Sequence, residues 1–96
     1  MIRHVLLIKL KENSPEHCEK VRQLLLSMEH KVPTVRAIEV GTDFLHSERS
    51  FDICLFVTFD SPAALEEYQR DPYHCDVVKS YIAQTKELSY AVDYEI

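Results

Sequence analysis

The chain has a single glycine, Gly41, no tryptophan and only four prolines among its 96 residues. One glycine excludes a glycine-rich loop of the kind that cradles nucleotide phosphates. The shortage of glycine and of low-complexity runs also argues against long disordered segments. Cys18, Cys54 and Cys75 are an odd number with no close-spaced pair. They form neither a disulfide framework nor a zinc motif, and fit thiols used as small apolar residues in a reducing compartment. Apolar runs such as Val5-Leu6-Leu7-Ile8 fall far short of the roughly 20 residues of a membrane span. Basic clusters are missing too. The formal charge is -5, from 16 acidic and 11 basic residues, and the basic ones are scattered. Nucleic acid and anionic membrane surfaces are therefore disfavoured, because both need a concentrated basic face. No secretory layout opens the chain, so a cytoplasmic protein is expected.

What remains is an ordinary globular composition, 46% hydrophobic and 28% charged. The length fits one domain, residues 1–96, with one modest core. Ile2 to Leu10 is rich in branched apolar residues on both alternating faces, which predicts a strand covered on both sides. Ser14-Pro15 then combines a capping hydroxyl with a proline suited to the first helical turn. Val21, Leu24, Leu25 and Met28 follow at helical spacing, and Pro33 stops the helix near His30 or Lys31. Val35 to Thr42 reads as a second strand, with Gly41 marking a bulge or bend. Phe51 to Phe59 is the clearest strand, placing Ile53, Leu55, Val57 and Phe59 on one face and Asp52, Cys54 and Phe56 on the other.

Ser61-Pro62 and Asp71-Pro72 repeat the cap-plus-proline signal, so a helix starts, breaks and restarts. Val77, Val78, Tyr81 and Ile82 line the last helix. The closing strand, Leu88 to Ile96, carries Leu88, Tyr90, Val92, Tyr94 and Ile96 on one face and Ser89, Ala91, Asp93 and Glu95 on the other. The order strand, helix, strand, strand, broken helix, strand is the split βαβ arrangement: an α+β, ferredoxin-like antiparallel sheet with helices on one face. The uncovered face would expose Phe56, Tyr90, Val92 and Tyr94, too large an apolar patch for a comfortable monomer. A homodimer packed sheet to sheet resolves this.

Read in order, the motifs resemble the stress-responsive dimeric α/β-barrel (Dabb) family across essentially the whole chain. They are the opening strand Ile2–Leu10, Ser47-Glu48-Arg49-Ser50-Phe51-Asp52, Phe59-Asp60-Ser61, the stretch from Tyr68 through Asp71-Pro72-Tyr73-His74, and Val92-Asp93-Tyr94. The resemblance implies a dimeric α/β barrel with a pocket between each monomer's own sheet and helices. On that reading Leu6, Ile8, Ile53 and Leu55 line the pocket and contact a small apolar or aromatic carbonyl compound. A plant branch of the family holds polyketide cyclases that use neither metal nor organic cofactor. By resemblance, their functional residues fall on His4, Tyr68 and His74. Two other positions depart: the cyclase branch has histidine at Ile53 and tyrosine near Leu25. Asp71-Pro72 also stands where the family often has His-Pro.

Each candidate has chemistry and a structural alternative. His74 lies third in a helix capped by Asp71. The helix end disfavours imidazolium and the carboxylate favours it. If burial and dipole win, His74 is a neutral base; otherwise it is a capping or surface residue. Tyr68 can donate to a substrate oxygen, or pack as amphipathic core. His4 is a core histidine unless it shares a cavity with His74. No metal site and no cofactor are expected, since His17-Cys18 and His74-Cys75 lie on different helices without close-spaced ligand motifs. Three functions follow: a carbonyl-compound-binding pocket, a cofactor-independent enzyme of cyclase or monooxygenase type, and a stress-protective dimer without a working site.

Overall fold

The computed structural model describes all 96 residues, Met1–Ile96. The chain forms β1 (Ile2–Leu10), α1 (Pro15–Leu26), α2 (Met28–Lys31), β2 (Ala37–Thr42), β3 (Ile53–Phe59) and α3 (Pro62–Arg70). A π-helical segment (His74–Lys79) then runs into α4 (Ser80–Thr85), and β4 (Lys86–Glu95) closes the fold. The four strands make one antiparallel sheet in the order β2-β3-β1-β4, which is the ferredoxin-like arrangement.

Three caps start the helices as their sequences require. Ser14 Oγ accepts from His17 N at 3.2 Å and Ser61 Oγ from Ala64 N at 3.2 Å. Asp71 Oδ1 accepts from both Tyr73 N at 2.9 Å and His74 N at 3.1 Å. Each such cap is worth about 1 kcal/mol, because it satisfies amide groups that have no partner inside the helix.

The register assigns each strand residue to a face. His4 pairs with Val57 and Asp93, Leu6 with Leu55 and Ala91, and Ile8 with Ile53 and Ser89. This is the helix-covered face, where Ile8, Val40, Ile53, Leu55, Val57 and Phe59 are buried with Val21, Leu25 and Met28 of the helices. The other face carries Val5, Leu7, Phe56, Tyr90, Val92 and Tyr94, and no element of the chain covers it. Tyr90 and Val92 are 60% and 56% exposed, so the apolar residues of β4 find no burial inside the monomer.

Several local expectations are corrected. Gly41 makes no bulge: it pairs in regular register with Cys54, and the register shift lies instead between Lys9 and Leu10. The first helix is interrupted at Ser27, whose hydroxyl donates to Leu24 O at 2.5 Å and meets Tyr73 OH at 2.6 Å. The last helix begins as a π turn, a wider coil that sequence periodicity does not encode. His74, Val78 and Ile82 are buried along it, while Val77 is exposed.

Asp52 is the largest departure on β3. The strand starts at Ile53, two residues later than expected, and Asp52 turns inward, 8% exposed. Its Oδ2 accepts from Leu10 N at 2.8 Å and its Oδ1 from Asn13 Nδ2 at 3.1 Å. The carboxylate thus satisfies the amide at the irregular end of β1. Removing it in Asp52→Ala leaves that buried donor unpaired and should cost about 1–3 kcal/mol in urea denaturation. Asp52→Asn keeps an acceptor oxygen and should lose less.

Candidate functional site

A cavity of about 220 Å³ opens between the helices and the β1–β4 half of the sheet. The helix-side face of β4 beside it is polar or small: Ser89, on the wall, is followed by Ala91 and Asp93. His4, Tyr68, His74, Val78 and Ile82 form its buried floor, with Leu6 and Lys86 half-buried at the side and Gln69, Lys79 and Ala83 exposed at the mouth. Three larger hollows, of about 370, 460 and 410 Å³, lie around Arg3 and Glu39, beside the β2–β3 loop, and between α1 and the last helix at Tyr73 and Tyr81. None contains a histidine among its walls, so size does not decide the site.

The three polar residues expected at the site therefore share one cavity. Tyr68 is 1% exposed, and its ring stacks on His74 with centroids 4.0 Å apart and planes 27° apart. Phe59 and His4 approach the same ring, at 4.9 and 6.0 Å between centroids. Among the four apolar candidates, Leu6 and Leu55 are on the wall. Ile8 and Ile53 are not: paired across β1 and β3, they are buried in the core beyond the cavity, 0% and 2% exposed, and that expectation is corrected.

His4 Nδ1 lies 2.5 Å from Asp93 Oδ1. An ionised carboxylate only accepts, so Nδ1 carries the proton, and in the neutral imidazole Nε2 is then the acceptor nitrogen. Asp93 was not among the candidates. Its signal was the polar face of the last strand, and only the β1–β4 register makes it the partner of His4. Lys79, Lys86, Gln69 and Val78 were missed for a similar reason, because α3, the π segment and β4 meet only in the folded chain.

Burial pushes the His74 imidazole below its ordinary pKa of 6.5, and the Lys79 charge lowers it further. The Tyr68 backbone carbonyl and the Asp71 carboxylate oppose this without reversing it. His74 is therefore neutral near pH 7. Its Nδ1 is buried with no hydrogen-bond partner in the protein. Burial drives the Tyr68 phenol strongly upward, so it stays protonated and able to donate.

The thiols are quiet by comparison. Burial raises Cys18 and Cys54, and Cys75 Sγ donates to Gln69 O at 3.1 Å. His17, the other histidine considered for metal, is held by Glu12 and Tyr81. No group of three or more His, Cys, Asp or Glu side chains is placed to hold a metal ion.

Fold and cavity together define a ferredoxin-like α+β protein whose polar side chains converge between its sheet and its helices. The chain belongs to the Stress responsive A/B Barrel Domain family, whose profile matches residues 2–96. No curated protein matches it in sequence. Solved structures match along nearly the whole chain. A dimeric ferredoxin-like protein of unknown function from Bacteroides fragilis is 27% identical, with a TM-score of 0.83 over 99% of this chain and 95% of its own. A protein from Arabidopsis thaliana is 22% identical, with a TM-score of 0.87 over 100% and 95%. The hydroxynitrile lyase from Passiflora edulis is 18% identical, with a TM-score of 0.83 over 99% and 92%. No helix in the chain is long and apolar enough to cross a membrane.

The depressed His74 pKa fixes the sign of a pH effect. As pH falls, the unfolded chain takes up this proton before the native one does. The stability that His74 contributes is present above pH 6.5 and declines as pH falls from there to the folded pKa. The His74 ring protons should titrate in NMR with a midpoint below 6.5, and Lys79→Met should move that midpoint upward. A midpoint at or above 6.5 in the unaltered protein would remove the neutral-base assignment.

Proposed function

We propose that the cavity binds a small apolar or aromatic carbonyl compound, with His74, Tyr68 and the His4–Asp93 pair as its polar end. One observation carries this reading: buried His74, kept neutral and with an unpaired Nδ1, stands against Tyr68 in a cavity that His4 also lines. Unpaired buried polar atoms are costly, and a site built to bind is a common reason for keeping one. The size agrees. An apolar cavity of about 150 Å³ can hold benzene, so 220 Å³ accommodates one ring with a short substituent. An extended chain would have to project through the mouth.

The same observation favours a second reading, cofactor-independent catalysis, over a purely structural dimer. A neutral imidazole can remove a proton from the carbon beside a carbonyl. Tyr68, still protonated, can donate a hydrogen bond to the oxygen as negative charge develops there. Asp93 orients the His4 ring so that Nε2 is available as an acceptor. That the fold carries an enzyme in the Passiflora edulis protein supports the possibility of chemistry here without naming the reaction.

Acetophenone is a suitable probe for both readings. It should perturb the NMR signals of Leu6, Tyr68 and Val78, and its methyl protons should exchange with deuterium faster than in buffer. His74→Gln should lower that exchange by about 100-fold or more. Binding without exchange leaves the pocket reading and removes catalysis. Neither binding nor exchange removes both.

The working unit in this proposal is a homodimer joined through the open sheet faces. Its support is the exposed row Leu88, Tyr90, Val92 and Tyr94, together with the dimeric state of the Bacteroides fragilis structure. The chain should sediment at twice its 11.2 kDa mass at micromolar concentration. Tyr90→Lys with Val92→Lys should yield monomer, and a monomeric unaltered protein would end the dimer proposal.

A further inference from the structure

We infer that the carbonyl compound taken by the cavity also carries a carboxylate, which Lys86 and Lys79 hold while the carbonyl lies at the His74–Tyr68 end. This rests on the reading above and specifies its ligand class. The chain has 16 acidic residues against 11 basic ones, yet the cavity wall itself includes two lysines and no aspartate or glutamate; Asp93 reaches the site only through His4 Nδ1.

The two lysines are also uncommitted. Neither forms an ion pair with any carboxylate of the chain. Lys86 is half-buried, and its ammonium donates to Ser89 Oγ at 3.0 Å, leaving two of its three donors open. Its ammonium therefore has open donors and no counter-charge within the chain. A carboxylate bound there would supply that charge through hydrogen bonds stronger than neutral ones. Lys79, Lys86 and His74 line one cavity of about 220 Å³, so one small molecule can reach from the lysines to the imidazole.

The charge requirement can be separated from carbonyl binding with a matched pair, 4-acetylbenzoate and the near-isosteric neutral 4-acetylbenzamide. Affinities are read by NMR titration of the cavity residues. The carboxylate should bind at least about tenfold more tightly at low salt, and the preference should shrink as ionic strength rises. Lys86→Met should abolish most of the preference, Lys79→Met part of it, and Lys86→Arg should keep it. Equal binding of the two probes overturns the carboxylate inference and leaves the carbonyl reading standing. A preference that survives in the Lys79→Met, Lys86→Met double variant overturns the assignment to these lysines. If neither probe binds, the inference falls, and failure of acetophenone as well shows that the carbonyl reading has fallen with it.

Discussion

The structure depends on one strand that must be buried on both faces. β1 pairs with β3 on one edge and β4 on the other, so its backbone groups are satisfied within the sheet. Its side chains alternate between a helix-covered row (Ile2, His4, Leu6, Ile8) and an open row (Arg3, Val5, Leu7, Lys9). The chain has only enough helix to cover one side. This leaves two consequences: an open apolar face that calls for a partner surface, and a covered face whose seal fails wherever the neighbouring strand stops being apolar. β4 is where it fails.

The cavity is thus a packing result before it is a chemical one. Around it stand a π segment, three capped helix starts and the short break at Ser27. Asp71 matters most among these. One carboxylate oxygen accepts from both the Tyr73 and His74 amides, which fixes where the restarted helix begins. The ring of His74 then stacks on Tyr68, the last buried residue before the break. Two residues separated by a proline-marked corner become one unit. Burial acts on both in the direction of the uncharged form, giving a neutral acceptor beside a protonated donor without any need for a metal ion to set their states.

Much of the fold was legible because its signals are local. β1 runs over the residues that its composition predicts, and the cap-plus-proline signals mark helix starts at Pro15, Pro62 and Pro72. Alternation in β4 separated its apolar row from its polar row. The site was legible only in part. His4, Tyr68 and His74 came from family resemblance, and nothing in their spacing requires them to meet. Asp93 could not be read as the partner of His4 without knowing that β4 lies beside β1 and in which register. The lysines of the wall and the inward turn of Asp52 have the same cause: each depends on a long-range pairing. Ile8 and Ile53 failed as wall residues for a different reason. Facing the helices is a property of alternation, whereas facing a gap depends on where the helices leave the sheet unsealed.

β4 links the two consequences of that incomplete cover. Outward residues Tyr90, Val92 and Tyr94 alternate with inward Ser89, Ala91 and Asp93, so a single strand supplies part of the open face and the partner of His4. A slip of one residue would exchange the two rows, turning Asp93 outward and a large apolar side chain toward the cavity. Inside the monomer the apolar row of β4 does little to resist such a slip, because it is exposed in the observed register. In the homodimer proposed above, burial of that row against a second copy would penalise any other register. Assembly would then contribute to the chemistry indirectly: by holding β4 in place, it would hold Asp93 on Nδ1 of His4 and keep Nε2 as the acceptor.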